Sequence, residues 1–335
     1  MTRTFIYVSC AGSREIGVFA LDARTGETSP CQRLSISGSP LPMKISPDGR
    51  VLLVGAKAEN TLLTCSINPA SGELALLGSV PCPGGPTYVN FSRAMRTAFV
   101  ASYGDNLLAA FPLESNGRPL PVGQVERDLP RAHAAVVDAS DGWLLVPTLG
   151  ADAIRIYRLA DDGRLEPNVP AQVSVRPGSG PRHLVFSPDN RHVHCLNELD
   201  GSIDAFAFDA EKGTLQLTSS ISMMPHGFRG QPWAAELRRT PGGEFLYATD
   251  RRSSTLAVFS VDAQNGQLAL FGHYPTEAQP RGMAIDPSGR WLAVAGQLSH
   301  HLSVYEIDAE TGCPRQRFRL ATGEDPICVE IVALP

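Results

Sequence analysis

Apolar residues along this chain come in short runs, many of them alternating with polar ones. The runs are rich in β-branched and aromatic residues and are cut by Gly, Pro, Asp and Asn every few positions. Long 3.6-residue periodicity is nearly absent, so the pattern predicts an all-β protein.

The runs repeat. Seven segments read as a strand followed by a glycine-containing turn: "IGVFALDARTGET", "LLTCSINPASGEL", "LLAAFPLESNGRP", "IRIYRLADDGRLE", "IDAFAFDAEKGTL", "LAVFSVDAQNGQL" and "LSVYEIDAETGCP". Their turn glycines, Gly26, Gly72, Gly117, Gly163, Gly213, Gly266 and Gly312, are 46, 45, 46, 50, 53 and 46 residues apart. Glycine suits such a turn because it takes positive φ without steric cost. A second motif, strand–turn–strand, keeps a fixed phase to the first: "ISPDGRVLLVGA", "FSRAMRTAFVAS", "VDASDGWLLVPT", "FSPDNRHVHCLN", "RRTPGGEFLYAT" and "IDPSGRWLAVAG". The missing seventh copy is split between the C-terminal "PICVEIVAL" and the N-terminal "RTFIYVSCAG". Seven four-stranded units predict a seven-bladed β-propeller, one domain over 1–335, its ring closed by strands from both ends. A two-sheet sandwich does not predict seven phased copies.

The repeat also serves as a ruler. Measured from the turn residue Pro47 and its equivalents Arg93, Ala139, Pro188, Pro241 and Pro287, six residues back lie Leu41, Thr87, His133, Arg182, Ala235 and Arg281. Ten residues on lie Lys57, Tyr103, Leu149, Glu198, Arg251 and Gln297. The first set starts the strand that lines the channel, and the second ends the strand that returns beside it. Both sets therefore belong at one channel mouth. Scaffold positions are Val, Leu, Ile, Ala and Phe, whereas this mouth collects three Arg, a His, a Glu, a Lys, a Tyr and a Gln. Such a pocket suits a small anionic ligand, and the planar guanidinium fork binds carboxylate or phosphate through two oxygens. A single Arg at a strand end is ordinarily just solvated; five in-phase charged groups on adjacent blades are not explained that way. His183, next to Arg182, is expected to point away because strand neighbours alternate, and it stays a secondary substrate-binding candidate. Trp143, Trp233 and Trp291 are expected in blade cores or between blades.

Composition removes other classes. The formal net charge is −5 with no Lys/Arg run, which argues against nucleic acid. The N-terminal apolar run is too short for a signal peptide and no stretch approaches a membrane span. Seven scattered cysteines, none in a C-x-x-C pair, fit reduced thiols in the cytoplasm. There is no G-x-S-x-G elbow, Walker loop, H-E-x-x-H or EF-hand pattern. The expectation is a monomer with no cofactor and no metal.

Three segments carry a resemblance: "GPRHLVFSPDNRHVHCLNELDGSIDAF", "SMMPHGFRGQPWAAELRRTPGGEFLYATDRRSSTLAVFSVD" and "QPRGMAIDPSGRWLAVAGQLSHHLSVYEID". They resemble the propeller-type 6-phosphogluconolactonases of bacteria, a family itself similar to fungal carboxymuconate-lactonizing enzymes. The resemblance implies a seven-bladed propeller, a lactone substrate and a metal-free site at one channel mouth. It also implies a site of one His, two Arg and one Glu. By motif these are His133 in "AHAA", Arg182 in "GPRH", Glu198 in "NEL" and Arg251 in "DRRSS". The expected activity is hydrolysis of a sugar δ-lactone, 6-phosphoglucono-δ-lactone first among them. Arg182 and Arg251, with Arg281, would stabilise the developing oxyanion. His133 or Glu198 would serve as general base; His133 is favoured because imidazole titrates near neutrality. Lys57 or Arg281 would hold a phosphate, with Tyr103, Gln297 and His183 as further substrate contacts. The alternatives are a lactonase for an unphosphorylated aldonate or aldarate lactone, a cycloisomerase, and a non-catalytic scaffold. A scaffold would need apolar disc faces and no converging Arg/His/Glu set.

Overall fold

The computed structural model describes residues 2–335. Its strands form seven four-stranded antiparallel sheets. Six are continuous: residues 40–81, 88–126, 136–174, 181–222, 234–275 and 280–321, here blades 1 to 6. Blade 7 pairs Pro326–Leu334 with Arg3–Cys10, then Glu15–Leu21 and Thr28–Ser35, so strands from both ends of the chain close the ring as expected.

Burial follows position in the blade. The second strands of blades 1 to 6, such as Val51–Ala56 and His192–Asn197, are buried at every residue. The fourth strands alternate, with Leu74–Pro81 mostly exposed. Hydrophobic clusters sit between blades: Phe5 and Tyr7 of blade 7 pack with Leu52 and Val54 of blade 1.

The turn glycines do two jobs. Gly26 and Gly213 have φ of +77° and +63°, and a Cβ on them would lie 2.2 Å from Trp291 and 2.3 Å from Trp143. Each tryptophan opens the second strand of the preceding blade, and its indole N–H donates to a carbonyl of that same turn region, Ala23 and Ala210 respectively. Four of the other five lie in the same way against Phe5, Thr97, His192 and Phe245, while Gly117 is less tightly backed, by Met95 and Val51 at 3.1 and 3.3 Å. The turn thus demands glycine twice, once for the backbone and once for the neighbouring blade.

Inner strands begin with a register break. In blades 1, 4, 5 and 6 the pairing shifts at Pro40/Met43, Pro181/His183, Ala234/Leu237 and Pro280/Gly282. These breaks stand where the mouth residues are.

A charged cluster at the channel mouth

The break in blade 4 decides how the mouth is built. Pro181 pairs with Asn197 and His183 with Leu196, which leaves Arg182 as the extra residue. A bulge of this kind re-aims side chains. Arg182 and His183 both line the central cavity, so strict alternation fails and the expectation that His183 points away is corrected. Upstream, the Gly178–Gly180 loop is clamped by Asp152, whose carboxylate accepts the Gly178 and Gly180 N–H groups at 2.8 and 2.9 Å. The carbonyl of Gly180 in turn accepts the Glu198 N–H at 2.8 Å.

Glu198 is the centre of the cluster. Its Oε2 accepts Arg182 Nε at 2.8 Å and Arg251 Nη2 at 2.9 Å. Backbone carbonyls of blade 5 hold both guanidiniums: Arg182 Nη1 donates to Ala235, and Arg251 donates to Trp233 at 3.2 Å and Ala234 at 3.1 Å. Arg182, Arg251, Glu198 and His133 are all buried. Arg281 lines the same cavity, half-buried, and makes no ion pair or hydrogen bond among the described residues. Two guanidiniums therefore share one carboxylate, and the charge of a third, Arg281, acts on the same cluster. Burial, then the Arg182 and Arg281 charges, hold Arg251 well below the ordinary guanidinium range. Burial and Arg182 likewise pull Arg281 down to about 10. An incoming negative charge would relieve both.

Two imidazoles lie edge to face across the cavity, with ring centroids of His133 and His183 5.2 Å apart. His183 Nδ1 lies 2.6 Å from Glu236 Oε1. Burial pushes Glu236 up, but Arg238 and His183 outweigh it and hold it at about 2. Glu236 is therefore a carboxylate that accepts from Nδ1–H, and His183 Nε2 keeps its lone pair. Arg182 Nη1, 3.1 Å away, occupies that lone pair. His133 differs. Its Nδ1 is buried without a partner among the described residues. Burial, followed by Arg182 and His183, lowers its pKa well below the ordinary imidazole value. His133 is thus neutral and the less engaged of the two.

The remaining expected residues divide. Tyr103 stands edge-on to His133 at 5.8 Å, and the exposed Arg131 guanidinium lies 5.7 Å from its ring. Gln297 is buried but is engaged with Asp325 at 2.7 Å and Gln279 at 3.1 Å, not with the cluster. Lys57 is exposed, its stem against Gly85, and does not line the cavity. Trp233 is not core packing: it is half-buried at the mouth with the Arg251 guanidinium 3.9 Å from its ring centre and Arg252 at 5.5 Å. Trp143 and Trp291 are inter-blade packing.

Below the mouth runs a chain of charges. Arg238 lies 3.4 Å from Glu236 and 3.8 Å from Glu330, and Lys44 lies 3.2 Å from Glu330. Tyr88 packs edge-on against His183 at 5.5 Å. These residues stand one and three places after the ring containing Arg182, so the same ruler reaches them. Their signal is a charge inside an otherwise apolar inner strand, as in "PMKI", "AELRR" and "CVEIV". The cavity they share with His133 and Arg182 is roughly 40 Å³. That is room for a few water molecules rather than a sugar. Glu198 and Arg251 are outside its lining. Among the described residues no group of His, Cys, Asp or Glu is placed to hold a metal ion.

Three comparisons bear on the fold and the family. A family model described as "Lactonase, 7-bladed beta-propeller" matches residues 4–331. A protein named 6-phosphogluconolactonase from Klebsiella pneumoniae (strain 342) is 37% identical over 328 residues, 98% of each chain. One from Cronobacter sakazakii is 38% identical over the same shares. A solved structure of a periplasmic gluconolactonase from Pseudomonas aeruginosa superposes with a TM-score of 0.92 at 30% identity, covering 100% of both chains.

Proposed function

This chain belongs to the seven-bladed β-propeller lactonase family, and from that premise we propose that it hydrolyses a sugar δ-lactone at the Glu198 mouth, with 6-phosphoglucono-1,5-lactone as substrate. The observation that carries the site is two guanidiniums paired to one carboxylate, with the unpaired Arg281 guanidinium and a neutral, unpaired imidazole beside them. The phosphorylated substrate rests on the relatives named 6-phosphogluconolactonase at 37–38% identity.

Only the carbonyl group and the attacking water enter the cavity, the body of the sugar lying toward the rim; water attacks the lactone carbonyl carbon while His133 takes its proton. Negative charge gathers on the carbonyl oxygen, where Arg281, the guanidinium without a partner, and Arg182 oppose it. The tetrahedral intermediate collapses and expels the ring oxygen, which receives the proton held by His133. The products are an open-chain acid and its hydroxyl. Glu198 keeps Arg182 and Arg251 fixed and neutralises part of their charge, so the site can exist before substrate arrives. Arg281 and rim cations such as Arg131 and Lys57 are available to a phosphate.

The test is acid release from freshly generated 6-phosphogluconolactone above the spontaneous rate, with gluconolactone in parallel. Preference for the phosphorylated lactone, and its loss in Arg182→Ala, supports the reading. Faster turnover of gluconolactone keeps the site but transfers the substrate to the unphosphorylated class, which the name of the Pseudomonas aeruginosa structure favours. No turnover of either ends the proposal.

A further inference from the structure

A second cavity opens at the other end of the channel. The catalytic mouth is built from the starts of the inner strands; this cavity is built from their ends, around Lys44, Asn90, Arg93, Val185, Arg238 and Arg239. Its volume is about 480 Å³. Among the described residues no Asp or Glu lines it, while four cations do.

Two of those cations lack ionic partners. Arg93 makes no ion pair among the described residues; its Nε donates to the Asp138 carbonyl at 2.9 Å. Arg239 Nε and Nη1 are buried with no hydrogen-bond partner among the described residues. The carboxylates that act on Arg239 are Asp189 and Glu244. Neither comes within ion-pair distance: Asp189 is taken by Arg191 at 2.7 Å and Ser187 at 2.6 Å, and Glu244 by Thr240 at 3.1 Å. Burial lowers the hold of Arg239 on its proton. A guanidinium with buried, unpaired N–H groups is costly to keep, and the Arg239 side chain lines a cavity large enough for a ligand.

The other two cations are shared. Lys44 and Arg238 line both cavities and are tied to Glu330 and Glu236 from the mouth side. They form the partition between the two ends. Elsewhere its wall carries Phe91, Val137 and Phe186 together with the polar Asn90 and Tyr88. Two cations without a carboxylate partner, beside two whose carboxylates lie on the other side of the partition, suit a doubly charged head, and the apolar side chains suit a short carbon body.

We propose that this far mouth is a second anion site, distinct from the lactonase mouth, that binds a small phosphate monoester with Arg239 and Arg93 as its principal contacts.

Phenyl phosphate and inorganic phosphate are the probes, titrated calorimetrically into wild type, Arg239→Met, Arg93→Gln and Arg281→Gln. Phenyl phosphate should bind wild type and Arg281→Gln at the far mouth alike, and at least tenfold more weakly to Arg239→Met. It should bind at least tenfold tighter than inorganic phosphate. Arg239→Met should melt no lower than wild type without ligand, because the variant removes an unpaired buried charge, and phenyl phosphate should no longer raise its Tm. If Arg239→Met does not fold, the exposed Arg93→Gln replaces it, with an expected loss of at least threefold. Unchanged binding in both far-mouth variants, or loss of all binding in Arg281→Gln, overturns the site. Equal affinity for the two probes overturns the monoester assignment.

Discussion

His183 and Glu236 are in contact at 2.6 Å across two blades and 53 residues of chain. The pair holds one imidazole nitrogen protonated and leaves the other facing Arg182. His183 thereby positions the Arg182 guanidinium from below while Glu198 positions it from above. Glu236→Gln should loosen Arg182 without touching substrate: kcat/KM is expected to fall about tenfold, mostly in kcat, with the rate at saturation partly restored by Glu236→Asp. Unchanged kinetics in Glu236→Gln would show that His183 needs no partner.

Removing the central carboxylate should cost more. Glu198→Gln leaves Arg182, Arg251 and Arg281 facing one another in a buried site. Stripping one member from a buried ion cluster typically costs about 3–5 kcal/mol. Activity should fall by about 10² or more. Chemical denaturation and lactone hydrolysis read the two effects separately, and a variant as stable as wild type would contradict the central role of Glu198.

Two deeply buried histidines outside the proposed catalytic set, His183 and His194, make stability depend on acid. Burial lowers His183 and His194 from 6.5 to about 4. Between pH 6.5 and 4 the unfolded chain binds protons that the folded chain excludes, so stability falls as pH falls through that window. Each site contributes a loss on the order of 3 kcal/mol. Glu236, held at about 2, adds its own loss only below 4.5. Tm measured from pH 7 to 4 should drop, and His194→Gln should flatten the drop; a Tm that is level across this range would refute the linkage.

The same physics shapes the activity profile. With its pKa well below the usual imidazole value, His133 stays in its base form under mildly acidic conditions. Background-corrected kcat/KM should therefore stay on its plateau through pH 6.5 and decline only further into acid. His133→Asn should lose the decline along with most of the rate. An inflection at or above 6.5 would exclude His133 as the base.

Glycine substitutions separate backbone from packing. Gly178 has φ +79° with open space where a Cβ would go, whereas Gly213 at φ +63° is backed by Trp143. Gly178→Ala should cost about 1 kcal/mol, the positive-φ penalty alone. Gly213→Ala should cost several kcal/mol, because the inter-blade contact must also open. Equal losses in thermal denaturation would mean that Trp143 can move aside freely.

The sequence alone determined the architecture and the outer layer of the site. Gly26, Gly72 and their five equivalents mark the period because a tight turn requires positive φ wherever it occurs, which is a local demand. The split seventh blade follows from the phase of that period. Arg182, Glu198, Arg251 and Arg281 follow too, since equal offsets in equal blades reach the same end of the channel. Tertiary structure alone decided the rest. A bulge at Pro181–His183 depends on register against the returning strand, so alternation put His183 on the wrong side. Glu236, Arg238, Glu330 and Lys44 find each other across blades, and local pattern does not encode pairing between strands that meet only when the ring closes. Trp233 resembled two core tryptophans in type, yet it stands at the mouth with the Arg251 guanidinium over its ring. Repetition makes position readable from sequence; partnership between blades is set by closure of the ring.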